Sequence, residues 1–360
     1  MPKTEEPPIK PHPDVQKLLV STTSRFIGQL DLDGIFMGHA NRGLGDGQAW
    51  ARMGEGPVSR SAYVLSFRTP PQDEAAPGVV IPSYEHVGET VCAYLAVLYG
   101  KRFDFHGSLE SSGFFGLPEL SQYASLSRPW LPQNSHAERG DYAVPLNLAE
   151  ARRILPLLNG TAEPAHANAF RAASKFYLQA LQTAEHDPEV AYLALITAGE
   201  ILANAVDIDV DDLRPQEIND ALHRVAAELV GGEQLARMLG GQMRQIKRRF
   251  TAVIGSLVDE CFFTSPVAER SFEALKSTEF EKRIAAAYDL RSRYVHGGAS
   301  FGGWIAPRGK DNAEIQAGKP IVEDKEFGRI LAMAPTYAGL ERTIRYTLLR
   351  FALVRGLIIG

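Results

Sequence analysis

The sequence predicts an α+β protein, a small mixed α/β domain followed by an all-α helical bundle. Three observations predict it. At 360 residues the chain exceeds an ordinary single domain, so two are expected. Before Pro164 the pattern is short and broken by glycine and proline; after it, long stretches repeat at helical period, with strand signals nearly absent until about residue 320. A hydrophobic content of 45% beside 22% charged residues supplies both cores with apolar material and excludes a disordered or fibrous class.

Residues 1–20 read as a flexible arm. Its opening, PKTEEPPIKPHPD, is proline-rich and charged and lacks the apolar centre of a signal peptide. Residues 21–145 form the mixed domain. Stretches 25–32 and 63–67 read as strands, and the run 38–56 between them is rich in turn formers. Within that run, Gly43-Leu-Gly-Asp-Gly invites a phosphate-loop reading. It lacks the Gly-Lys-Ser/Thr ending and no clear strand leads into it, so a long surface loop is the better reading. Residues 84–99 are helical by period, with Val87, Val91, Cys92, Leu95 and Leu98 on one face. Gly100 ends that helix, and 102–105 suggest another strand. Pro118, Pro129, Pro132 and Pro145 leave 116–145 without a period, as irregular packing or a connector.

The all-α domain is expected over 166–360, with helices at 166–185, 189–206, 215–230, 233–262, 278–296 and 335–356. Asp187-Pro188 is a helix start, and Gly231-Gly232 a break. Short connections imply antiparallel neighbours. No run approaches the roughly 18 apolar residues of a membrane span, and the apolar tail, interrupted by Arg355, is expected to pack on the bundle. Cys92 and Cys261, far apart in sequence, make neither a disulfide framework nor a zinc pattern and fit a reducing, cytoplasmic setting. The formal charge of −5 excludes a strongly basic, nucleic-acid-coating protein but leaves room for a local basic groove.

The informative stretch is Ile284-Ala-Ala-Ala-Tyr-Asp-Leu-Arg-Ser-Arg-Tyr-Val-His-Gly-Gly298. At about 100° per residue, Ile284, Tyr288, Arg291 and Val295 share one stripe. Arg291 therefore faces the bundle, whereas Arg293 lies on the polar side, where Asp289 four residues earlier offers a solvated pair. An inward guanidinium needs a carboxylate or a phosphate, because burying it unpaired is costly. The helix expected at 189–206 is apolar nearly all round, which places Glu200 and Asn204 inside and makes Glu200 the natural partner of Arg291. A plain buried ion pair that fixes helix register explains these two residues equally well. His296 ends the helix before Gly297-Gly298, about 140° around the axis from Arg291; fraying into the glycines would bring the imidazole back. A helix-end histidine serves as a dipole-favoured cap, or here as an acid–base group.

Arg291-Ser-Arg-Tyr-Val-His296 resembles the arginine, four-residue gap, histidine signature of HEPN domains, and the fuller string from Ala287 to Gly298 resembles their Apea-like branch, found in bacterial and phage-defence proteins. The resemblance covers about 166–360 and rests on about a dozen residues. Many members carry Asn, Asp or His directly after the arginine, where this chain has Ser292. The resemblance implies RNA cleavage without metal or cofactor, at a cleft between two HEPN helices, usually in a homodimer. There the 2′-hydroxyl attacks the adjacent phosphate. His296 would act as general acid or base, Arg291 would stabilise the phosphorane and Glu200 would orient Arg291, with Asn204 and Ser292 in support. Some members instead bind nucleotides or only dimerise, and a site completed by another protein is a third option. A defence-type effector would use the N-terminal domain as sensor.

Other features are weaker. Arg244, Lys247, Arg248 and Arg249 crowd one and a half turns, as an RNA-backbone track or a solvated face. Arg342, Arg345 and Arg350 either line the same cleft or face water. The glycine-rich run 297–309, with Phe301 and Trp304, is either a flap with stacking aromatics or a loop anchored by them. His39, His86, His106, His136, His166, His186 and His223 show no metal-ligand spacing.

Overall fold

The chain divides into two units, seen in a computed structural model that describes residues 14–40, 60–69, 83–111, 113–121, 127–208, 213, 215–242, 246–307 and 312–360. The first comprises the described residues of Met1–Pro129 with Gln133–Glu138 and Val144–Arg152. The second comprises Trp130–Pro132, Arg139–Ala143 and Arg153–Gly360. The architecture is α+β, with a sheet in the first unit and helices in the second. The glycine run at 43–47 lies outside the described residues.

The first unit is a six-stranded antiparallel sheet in the order β2-β3-β4-β1-β5-β6. Its strands are β1 (Asp14–Thr22), β2 (Leu30–Leu32), β3 (Ile35–His39), β4 (Ser61–Thr69), β5 (Phe103–Ser111) and β6 (Phe114–Phe115). Helix α1 (Glu85–Tyr99) packs against β1 and β5 and is buried from Val91 to Tyr99. The arm expected at 1–20 is corrected here: from Asp14 onward the chain is the central strand, paired with β4 from Asp14↔Thr69 to Thr22↔Ser61. The prolines before Asp14 hid a run, Val15-Gln-Lys-Leu-Leu-Val20, that a two-sided strand can bury. The strand expected at 25–32 shrinks to Leu30–Leu32.

The second unit holds α2 (Pro164–Thr183), α3 (Pro188–Ala205), α4 (Gln216–Glu228), α5 (Gly232–Gln242), α6 (Ile246–Leu257), α7 (Glu260–Thr264), α8 (Phe280–Gly297), α9 (Gly302–Ile305), α10 (Lys325–Met333) and α11 (Tyr337–Val354). Asp187 starts α3 by accepting from the Val190 amide at 3.0 Å, with Pro188 in the first turn, where a missing N–H costs nothing. The single helix expected at 233–262 is broken. Asp259 accepts from the Cys261 amide and caps a separate short helix, α7.

Helix α3 packs against α2, α6, α8 and α11, so its apolar sequence is buried on several sides. Gly199 makes this closeness possible: a Cβ there would lie 2.5 Å from Phe250 and 3.0 Å from Ile344. Helix α11 is buried at every position from Tyr337 to Leu349, arginines included. Arg342 pairs with Glu314 at 2.9 Å, and Arg345 with Asp141 at 3.0 Å. These arginines therefore neither line a cleft nor face water; their apolar neighbours on α11 carry them into the core, where carboxylates await them. Arg350, part-exposed, lies 3.5 Å from Asp259. Arg139 grips Glu341 through two bonds of 2.9 and 2.7 Å, so the helical unit recruits chain well before residue 166.

Candidate functional site

The site is built where α8 leaves the core. Along the stripe of α8, Ile284 is fully buried, Tyr288 and Arg291 are part-exposed, and Val295 is 52% exposed. The stripe thus starts inward and ends at the surface, which corrects the expectation of an interior Arg291 and an inward Val295.

Arg291 Nη2 lies 3.8 Å from Glu200 Oε2 on α3; the two side chains are 29% and 18% exposed. The other carboxylate oxygen, Oε1, accepts a 2.8 Å bond from the Tyr288 hydroxyl. The Arg291 guanidinium also stands 5.7 Å from the centre of the Tyr288 ring, within reach of a cation–π contact. Phe250 of α6 supports that ring at 5.5 Å, and it can stand there because Gly199 has no side chain. Burial, together with the Glu200 bond and charge, pushes the Tyr288 phenol up to about 12, with Arg291 opposing. The phenol is therefore a donor at neutral pH, and the carboxylate its acceptor. In the sequence Tyr288 shows only as part of an apolar stripe, and its place one turn before Arg291 is the signal that points to this role.

His296 is exposed, and helix α8 persists past it to Gly297. The fraying that would have returned the imidazole towards Arg291 does not occur. Gly298 adopts the left-handed conformation (φ 65°) and its amide closes the helix onto Arg293 and Tyr294 carbonyls, so the last turn stays wound. In an ideal helix this leaves His296 about 140° from Arg291 and about 7.5 Å further along the axis. Ser292 is part-exposed beside Arg291. Asn204 is exposed rather than interior, because it sits in the last turn of α3.

The basic cluster is dispersed into separate duties. Lys247 Nζ contacts both oxygens of Asp289, at 2.7 and 2.6 Å. Arg248 donates to the Leu213 carbonyl at 2.9 Å. Arg249 donates to the carbonyls of Ala203 (2.8 Å) and Val206 (2.9 Å), closing the C-terminal end of α3. Arg244 lies outside the described residues. Arg293 does not pair with Asp289: it reaches Glu326 at 2.5 Å and Asp324 at 3.6 Å on the α10 side. The segment after α8 is anchored. Phe301 is buried edge-on to Tyr192 and Tyr294, its amide donates to Glu189, and Trp304 Nε1 donates to the Leu331 carbonyl at 2.9 Å.

In the first unit, His106 and Ser21 are fully enclosed. His106 Nδ1 donates to the Glu119 carbonyl at 2.7 Å, and Nε2 lies within hydrogen-bond distance, 2.7 Å, of the Ser21 hydroxyl. Arg60 and Arg102 converge on Asp104 beside them. Among the described residues no cluster of three His, Cys, Asp or Glu could hold a metal ion, and no helix is long and apolar enough to cross a membrane. The chain matches none of the protein-family models, curated proteins or solved structures with which it was compared.

Proposed function

We propose that the helical unit is a metal-independent endoribonuclease of the HEPN type, acting as a homodimer, with Arg291 as the group that stabilises the phosphorane and His296 as the proton-transfer group. The observation that carries this reading is the part-exposed Arg291, held by Glu200 at 3.8 Å yet 29% open to solvent. A guanidinium satisfied wholly by protein would have no donors to offer; this one keeps N–H groups for a phosphate's oxygens, and its planar fork suits them.

The chemistry follows from the groups present. An imidazole removes the proton of the ribose 2′-hydroxyl, the 2′-oxygen attacks the adjacent phosphorus, and a protonated imidazole returns a proton to the departing 5′-oxygen. The products are a 2′,3′-cyclic phosphate and a free 5′-hydroxyl. The orientation of His296 on its own helix, about 140° from Arg291, argues that one chain does not complete the site. A two-fold pairing of α8 ends would set the arginine of one copy beside the histidine of the other.

Three outcomes test this. RNA incubated with the wild-type protein in excess chelator should be cut to cyclic-phosphate ends. His296→Ala should lower the rate by about a hundredfold or more. Two inactive variants, Arg291→Ala and His296→Ala, should regain part of the activity when co-expressed, because the mixed dimer keeps one intact composite site. Cleavage abolished by chelator, or a fully active His296→Ala protein, would overturn the reading.

One observation favours a second reading, a non-catalytic helical module that dimerises or binds nucleotide or RNA. His296 makes no described hydrogen bond that would orient it as a base. On that reading the Arg291→Ala protein loses RNA binding in a filter or anisotropy assay, while the wild type cuts nothing.

A further inference from the structure

We infer that Tyr288 is a positioning residue of this site, fixing the Glu200 carboxylate so that its second oxygen faces Arg291; the inference rests on the ribonuclease reading for its kinetic consequence but not for its geometry. A glutamate has three side-chain torsions and, at the rim of a bundle, water competes for its oxygens. Left alone it would sample several rotamers. Here the Tyr288 hydroxyl holds Oε1 at 2.8 Å, which leaves Oε2 for the guanidinium at 3.8 Å. The phenol itself is set by ring packing on Phe250 at 5.5 Å, and Phe250 is lodged against Gly199, next in sequence to Glu200. The ring also faces the Arg291 guanidinium at 5.7 Å. One aromatic side chain therefore touches both members of the pair, and a rigid core residue backs it.

The arrangement has a chemical consequence. A pair at 3.8 Å is at the long edge of an ion pair, so Coulomb attraction alone orients the arginine loosely. Directional restraint has to come from the neutral donor and the ring. Transition-state stabilisation by an arginine depends on its N–H groups being aimed before the charge develops, so a loosely aimed arginine lowers kcat more than it weakens RNA binding.

Tyr288→Phe keeps the ring and removes the hydroxyl, which makes it the decisive variant. Compared with wild type, it should lower kcat for RNA cleavage about tenfold while KM and the melting temperature stay nearly unchanged. In a Glu200→Gln background the same change should cost no more than about twofold, because both act through one carboxylate. A second readout does not need activity. In arginine side-chain NMR, the Arg291 guanidinium protons, assigned by their loss in Arg291→Lys, should be resolved in wild type and averaged in Tyr288→Phe. A folded Tyr288→Phe protein with wild-type kcat and unchanged Arg291 signals overturns the inference. If the wild type cuts no RNA, the ribonuclease reading fails and the NMR comparison still decides whether Tyr288 positions the pair. If the wild type is active and Tyr288→Phe is silent in both assays, only the role of Tyr288 falls.

Discussion

Two kinds of arginine–carboxylate pair stand in the helical unit, and they differ in what is left over. Arg342 and Glu314 meet at 2.9 Å with no exposure on either side chain. The second terminal nitrogen of Arg342 donates to the Phe262 and Ser265 carbonyls, and the guanidinium stacks 3.8 Å from the Phe262 ring centre. Glu314 in turn accepts from the amides of Val267 and Leu275, at 2.8 and 2.7 Å. Both terminal nitrogens of this arginine are spent on protein, and its work is to fix loops against α11. Arg291 and Glu200 are 3.8 Å apart at the rim, and the arginine is still open to solvent. The same two residue types thus give a fastening in one place and a receptive group in the other. Burial and the count of competing protein acceptors decide which.

The comparison breaks most visibly under deletion of the fastening. Arg342→Ala leaves Glu314 charged and unpaired in the core, which should cost about 3–5 kcal/mol in chemical denaturation. Acid should loosen the same core. Burial would raise the Asp141 pKa, but Arg139 and Arg345 outweigh it and hold the carboxyl at about 2, below its ordinary value. A depressed carboxylate pKa contributes stability above the unfolded value, and that stability is lost as pH falls through the folded one. Denaturation curves should therefore show stability dropping between about pH 4 and pH 2, and Asp141→Asn should flatten that stretch. Gly199→Ala places a methyl 2.5 Å from Phe250 and should cost about 1–3 kcal/mol, with the Tyr288 ring displaced from its support. The smallest effect belongs to Arg293→Ala. Its partners Glu326 and Asp324 are largely solvated, so stability should change by less than about 0.5 kcal/mol and cleavage should not change.

The helical half was legible because its signals are local. Asp187-Pro188, Gly231 and Gly298 each act through their own backbone, and the apolar period of 189–206 is long enough to name a buried helix. The pairing of Glu200 on α3 with Arg291 on α8 followed from that period. What the sequence hid were quantities set by distant neighbours. Arg342 and Arg345 read as surface or cleft residues because nothing near them in sequence announces Glu314 and Asp141, the latter 204 positions away. Asn204 and Val295 sit on stripes that continue inward on paper, but each lies in the last turns of its helix and is exposed. The strand β1 was masked by the prolines before it, since its pairing partners lie at 61–69 and 103–111. Arg293 chose Glu326 over the nearer Asp289 because Lys247 already occupies that carboxylate.

The central claim is that Arg291 is held for a ligand rather than for the fold, and one paired measurement tests it most directly. Arg291→Ala should be made, its melting temperature and urea midpoint recorded, and its rate of RNA cleavage compared with wild type under chelator. A receptive arginine predicts a rate lowered by a hundredfold or more with stability within about 1 kcal/mol of wild type. A large loss of stability with cleavage falling only in proportion to the unfolded fraction, or an unchanged rate in the folded variant, would contradict it and return Arg291 to the same class as Arg342.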